Sequence, residues 1–292
     1  MTRCAIECVF RIFACVPRRL CIRAGKTLGW MLEHLVRFRR EEIDRNLSQA
    51  FPALNPREHQ ALRHRVYRHF GLLFTEFLQL PSLASETLTD ESFCTVHGEE
   101  RLQAALAHGN GIMILTAHVG SWETALAAMS ARQYDIRAVV KEQKGELGQY
   151  VASRMRESHG VRTIPRRNAM RKIRYALKEN AAVSFVLDQN MTSDEGVFVT
   201  FFGRPACTMS SLAALSSRYA CPVVPLYCYR DADLRRHHVV VGEPLEWEST
   251  GQGRKADLTH NTQRYTDVLE DIIRRHPDQW IWMHRRWRTK PR

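Results

Sequence analysis

The stretch from Leu115 to Ala125 reads LTAHVGSWETA, and two of its residues have types suited to acid–base chemistry. His118 carries the side chain that titrates near neutral pH. Glu123, five residues on, could fix the tautomer of the imidazole and stabilise the imidazolium. Such a pair is a general base with an orienting group. A protein nucleophile is missing: the pattern Gly-x-Ser-x-Gly occurs nowhere in the chain, and Ser121, caught in a turn, reads as a helix cap. A base without a nucleophile of its own suits a nucleophile that arrives with the substrate, such as a hydroxyl attacking a thioester. Helix amides or an arginine would then stabilise the oxyanion. The same His and Glu spacing also occurs as a plain structural hydrogen bond, and spacing alone leaves both readings open.

The elements that must hold these residues follow from the apolar rhythm. After about residue 93, short apolar runs alternate with amphipathic segments. Strands are expected near Gly111–Ala117, Arg137–Lys141, Val161–Pro165, Ala181–Leu187, Val197–Phe202, Pro222–Tyr229 and His237–Val241. Helices are expected near Trp122–Ala131, Gly148–His159, Ala169–Glu179, Ser210–Tyr219 and Leu258–Arg275. Strand and helix in alternation over some 150 residues predict an α/β fold with a mostly parallel central sheet flanked by helices. In such a sheet ligands gather at the carboxyl ends of the strands, where His118 falls. Gly120 permits a sharp turn, and Glu123 lands in the first turn of the following helix. Trp280 and Trp282 share one face of an expected final strand, in preference to a membrane interface. His237 and His238 read as a strand surface pair without a third metal ligand.

Residues 40–80 read as helical, broken at Pro52 and restarted by an Asn55 cap with Pro56 at the first position. The N-terminal stretch MTRCAIECVFRIFACVPRR has no uninterrupted apolar run longer than Ile12 to Val16, far short of a spanning helix. Its Arg3, Glu7, Arg11 and Arg18 form a narrow polar stripe. The expectation is an interfacial helix with its apolar face among acyl chains and Arg18, Arg19, Arg23 and Lys26 at lipid head groups. Residues 1–38 are thus expected as a membrane-associating helical segment and 39–292 as the catalytic domain.

With 43 Lys and Arg against 31 Asp and Glu, the chain carries a net charge of +12 over its 292 residues, which favours an anionic partner. The cations cluster in Arg166, Arg167, Arg171, Lys172 and Arg174, and in the tail HRRWRTKPR. Basic residues interleaved with aromatics could bind single-stranded nucleic acid. The eight cysteines form no Cys-x-x-Cys pair and read as small buried thiols in a reducing compartment.

AHVGSWETA resembles the catalytic block of the lipid A secondary acyltransferases, the lauroyl and myristoyl transferases, and of the related phosphatidylinositol mannoside acyltransferases. The family pattern is His, four residues, then an acid, often with Gly-Asn-Trp before the acid, so the chain departs only by Ser121. Arg45-Asn46-Leu47, Ala50-Phe51-Pro52, Leu187-Asp188-Gln189, Phe201-Phe202-Gly203 and Trp280 to Trp287 resemble further family blocks, in order. The resemblance implies a glycerophosphate-acyltransferase-like fold behind a membrane-contacting segment. It implies His118 as base with Glu123 as its partner, and Arg156 and Asp188 as substrate- or oxyanion-binding groups, Arg154 being the second match for the arginine. It further implies an acyl carrier protein thioester as donor, with acyl-coenzyme A the alternative, and no metal or resident cofactor. The acceptor would be a lipid A precursor or another glycolipid or aminolipid, acylated on the cytoplasmic face of the inner membrane. The basic clusters then meet lipid phosphates, anionic lipids or the acidic carrier rather than nucleic acid. The competing reading is a catalytically inactive protein of this fold that binds anionic lipid or nucleic acid. It would be marked by loss of the His and Glu, and both are present.

Overall fold

The computed structural model describes residues 3–143 and 145–291; Met1, Thr2, Lys144 and Arg292 lie outside the described residues. Six of the seven expected strands join one sheet. β1 is Cys94–His97, β2 Ile112–Thr116, β3 Ile136–Val140, β4 Arg162–Pro165 and β5 Ala182–Val186. A separate antiparallel hairpin is made of β6 (Gly196–Phe201) and β7 (Arg204–Met209), and β8 (Val223–Arg230) and β9 (His237–Val241) complete the sheet. The sheet order is β1-β9-β8-β2-β5-β3-β4, parallel throughout except between β8 and β9.

The helices are α1 (Arg3–Cys15), α2 (Arg18–His34), α3 (Arg40–Ala50), α4 (Pro56–Gln79), α5 (Ser85–Thr89), α6 (Glu99–Leu106), α7 (Trp122–Ala131), α8 (Glu146–Glu157), α9 (Ala169–Lys178), α10 (Ser211–Tyr219) and α11 (Arg254–Arg275). β2 is buried along its whole length because both faces are covered, which is why its sequence is a continuous apolar run instead of an alternation. Ile112 and Ile114 pack with α6 and α7 on one face, and Met113 and Leu115 with α9, α10 and α11 on the other. At the start of α4 the expected cap forms: Asn55 Oδ1 accepts from the amides of Arg57 and Glu58, both at 3.0 Å, and Glu58 returns the bond to the Asn55 amide.

Several expectations are corrected. Trp280 and Trp282 form no final strand. Trp280 makes a single bridge to Val119, and the Asn46 amide takes the carbonyls of Trp282 and His284 at 2.7 and 2.9 Å. His237 faces inward and is buried, not paired with His238 on the surface. The tail is not a free basic arm, since Arg286 is buried and donates to the Cys207 carbonyl, and Arg285 pairs with Glu42. Cys4, Cys8 and Cys15 are exposed, while the other five cysteines are buried; all eight are free.

In α1, Ile6 and Phe10 are buried against the protein's own body instead of facing lipid. Glu7 of the polar stripe accepts from Tyr150 Oη and Arg154 Nε of α8. Arg18 donates to the Arg235 carbonyl and lies 3.1 Å from His237, so it too is engaged inside the protein. α2 crosses α4 at Gly25, Gly29 and Gly71. A Cβ on Gly71 would lie 2.1 Å from the Gly25 oxygen and 2.5 Å from the Gly29 nitrogen, both backbone atoms that cannot rotate away. Gly71→Ala is therefore expected to part the helices and lower stability by about 1–3 kcal/mol, the range for overpacking. A lowered thermal midpoint checks this; an unchanged one refutes it.

Candidate active site

His118 sits just beyond the carboxyl end of β2, where the chain turns sharply. Gly120 has φ +57°, and a Cβ there would lie 1.9 Å from the Cys228 oxygen, so the turn requires glycine. α7 begins at Trp122, with no side-chain hydrogen bond from Ser121 to its amides. The Ser121 hydroxyl instead pairs with that of Thr124 at 2.7 Å, so the expected cap is absent.

Glu123 does not come back to the imidazole. The residue that meets His118 is Asp188, just past the end of β5, the parallel neighbour of β2. His118 Nδ1–H donates to Asp188 Oδ1 at 2.8 Å and the His118 amide donates to Oδ2 at 2.8 Å. Trp280 Nε1–H adds a third bond, to Oδ2 at 2.7 Å. With Nδ1 committed as donor, Nε2 is the basic nitrogen of the neutral ring. The Gln189 amide nitrogen lies 3.4 Å from it, and the ring stands edge-on to Trp122.

Glu123 points toward α8 and pairs with Arg156. Arg156 Nε donates to Oε2 at 3.0 Å and a second guanidinium nitrogen donates to Oε1, which also accepts from the Trp122 indole. A two-pronged arginine–carboxylate pair fixes both planes. Arg154, the second sequence candidate, serves Glu7 instead.

Burial by itself would lower the imidazole pKa. The charge and hydrogen bond of Asp188 outweigh it, Glu123 adds to them, Arg156 opposes, and the ring ends above its usual 6.5. For Asp188, burial pushes up but His118 and the three N–H donors hold the carboxyl down to about 2. The ring acts as a base only when neutral. Transfer should therefore rise with pH through a midpoint above about 6.5 and then level off. A profile of kcat/KM against pH checks this, and a midpoint below that value would refute it.

His118, Glu123, Arg156 and Gln189 line one cavity of about 760 Å³. Its walls pass from these polar groups to Leu126, Ala138, Val140, Ile173, Phe185 and Leu215, on both faces of the sheet beside β3 and β5. A cavity with charged groups beside a wall of apolar side chains suits a molecule with one reactive polar end and a long hydrocarbon.

The blocks that hold Asp188 are scattered in sequence and joined in space. Asn46 anchors the turn after Trp280. Phe51 packs on Phe202 and Trp282, and Phe201 packs on Trp280 and Trp287. The family model for the bacterial lipid A biosynthesis acyltransferases matches residues 3–289. The chain belongs to that family. The acyltransferase is similar to the lipid A biosynthesis palmitoleoyltransferase of Escherichia coli K12, 26% identical over 269 residues that cover 91% of this chain and 84% of that protein. The lauroyltransferase of the same organism is 22% identical over 281 residues, 94% of this chain and 88% of that protein. The phosphatidylinositol mannoside acyltransferase of Mycobacterium tuberculosis H37Rv is 24% identical over 254 residues, 85% of this chain and 77% of that protein.

Two residues of the acyltransferase site were not assigned a role from the sequence. Gln189 was visible only as the neighbour of Asp188. Trp280 had been noticed for its alternation with Trp282, which gave no sign of an indole bonded to a carboxylate 92 residues away.

Proposed function

We propose that the enzyme moves a fatty acyl chain from a thioester to a hydroxyl of a lipid A precursor, with His118 as general base. The supporting observation is the imidazole, held at Nδ1 by Asp188, in the wall of a cavity lined by both polar and apolar side chains. The acceptor oxygen attacks the thioester carbonyl carbon while Nε2 takes its proton. In this reading Arg156 and the amides at the start of α7 stabilise the oxyanion. As the intermediate collapses, the C–S bond breaks and the sulfur leaves with the proton from the imidazolium. Glu123 holds Arg156 in place, a role different from the one its spacing suggested. The donor is an acyl carrier protein thioester, and the acceptor follows the two lipid A enzymes among the relatives.

No helix among the described residues is long and apolar enough to cross a membrane. Ile12, Leu20, Trp30, Met31, Leu35 and Val36 are exposed on α1, α2 and the turn after α2, with Arg19, Arg23 and Lys26 exposed among them. This mixed apolar and basic surface supports peripheral contact with an anionic bilayer, at the cytoplasmic face where carrier thioesters occur.

The test is transfer of radiolabelled acyl groups from acyl carrier protein to a tetra-acylated lipid A precursor bearing its inner sugars, with His118→Ala alongside. A penta-acylated product lost in the variant supports the proposal. Product with a phosphatidylinositol mannoside only would reassign the acceptor, and full activity in His118→Ala would overturn the mechanism. The chain-holding role of the cavity makes its own prediction. Ala138→Leu fills apolar space, so activity with the longest accepted chain should fall about tenfold or more and the preference move to shorter chains, since one methylene in an apolar pocket is worth about 1–3 kcal/mol. Competition between acyl donors of different length measures this.

A further inference from the structure

The cavity lies beside α9, where Asn168, Ala169 and Met170 are part of its lining. Ala169, Ile173, Ala176 and Leu177 bury one side of this helix. Its other side is charged in a way that the chemistry of the cavity does not use. Met170, Arg171, Arg174, Tyr175 and Lys178 follow one another at spacings that share one outward stripe, and Arg167 lies in the turn before the helix. All six are exposed, Met170 at 46% and Tyr175 at 61%. The stripe runs about 12 Å at 1.5 Å per residue.

α9 contains no acidic residue. Among the described residues, Arg167, Arg171, Lys172, Arg174 and Lys178 form no ion pair, although Arg166 just before them pairs with Glu195 at 2.9 Å and Arg137 is held by Asp135 and Glu179. Arg171 with Arg174, and Arg174 with Lys178, are like charges about one turn apart, an arrangement that weakens an isolated helix. An external anionic partner would relieve it.

We infer that the exposed stripe of α9 is the docking surface for an acidic carrier protein that delivers the acyl thioester into the cavity. This rests on the acyl-transfer reading above. Coenzyme A would call for cations gathered around a phosphate group. Here they run the length of the helix, with an aromatic and a thioether side chain between them. Arg, Tyr and Met set among charges fit one acidic helix of a small protein. Charge of this kind acts chiefly on encounter rate and salt dependence. α9 packs on β4 and β5, whereas the helices assigned to the bilayer pack on α4, so the two surfaces belong to different layers.

The test uses Arg171→Glu/Arg174→Glu, whose positions do not line the cavity, and Arg171→Glu/Lys178→Glu as a second variant should the first fail to fold. The donors are an acyl-loaded bacterial acyl carrier protein and the same acyl chain on pantetheine. KM for the carrier donor should rise at least tenfold at low salt and lose most of its salt dependence, with kcat and pantetheine turnover unchanged. Lysine substitutions in the acidic helix of the carrier should restore part of the loss. The surface is overturned if the variant uses both donors as the wild type does, if it loses both equally, or if the wild type accepts only a coenzyme A thioester. Should the wild type transfer from no thioester, the acyl-transfer reading fails by itself. Docking is then decided by fluorescence anisotropy of labelled carrier: a tenfold weaker Kd in the variant supports it, and equal or absent binding refutes it.

Discussion

Asp188→Asn should slow acyl transfer about 1,000- to 10,000-fold while the protein still folds, the scale seen when an orienting carboxylate becomes an amide. The two oxygens of Asp188 accept three N–H groups: the His118 amide, the His118 ring and the Trp280 indole. An asparagine offers one oxygen and one NH2. If the oxygen stays with the amide and the indole, the NH2 faces Nδ1 and forces that nitrogen to accept. The ring proton then moves to Nε2, the atom that must be free to take the acceptor's proton. His118→Ala removes the base itself and should cost about 100- to 10,000-fold. The double variant should be little worse than either single one, because the two residues act as a unit. Single-turnover transfer from the carrier thioester measures all three, and an Asp188→Asn enzyme within tenfold of wild type would refute the arrangement.

Glu76→Ala should destabilise the protein by about 3–5 kcal/mol, the cost of leaving a buried charge without its partner. Against a typical total of about 5–15 kcal/mol, that is a large share. Arg230 is buried, and its guanidinium binds both oxygens of Glu76, with Nε at 2.6 Å from Oε1. His69 Nδ1 lies 2.6 Å from the same guanidinium, accepting from it, and His237 Nε2 is 3.5 Å from Glu76. Denaturant titration should show the lower midpoint. Glu76→Leu combined with Arg230→Met should recover most of the loss, because it removes both charges and retains packing. If the single and double variants lose the same amount, the unpaired charge is not the cause.

The same cluster sets the response to acid. Burial pushes the Glu76 carboxyl up, but the nearby cations, stronger in sum, bring it down to about 2, below its ordinary 4.5. Burial holds the His237 ring at about 3 and puts His69 well below 6.5. Each group binds a proton more readily in the unfolded chain. Their contribution is therefore complete above about pH 6.5, begins to fall below it as the unfolded histidines charge, and falls further below 4.5 through Glu76.

Much of this was legible in short windows of sequence. β2, β3, β5, β8 and α7 could be placed because each is a local apolar run closed by turn residues. β1 was missed because four residues of Cys-Thr-Val-His give almost no pattern, and β7 because Pro205 and Arg204 break its apolar character. The false final strand came from a true alternation of Trp280 and Trp282; the carbonyls of Trp282 and His284 accept from Asn46, more than 230 residues earlier, which no window contains. Distance also explains the exchange of carboxylates at the site. Glu123 was the acid close to His118 in sequence, while Asp188 reaches it only through the pairing of β5 with β2.

The bond from Trp280 to Asp188 has a consequence for a chain still being made. His118, Asp188 and Trp280 leave the ribosome in that order, long after α1 and α2. The growing chain therefore holds its imidazole without the full set of donors on Asp188 until Trp280 has been made.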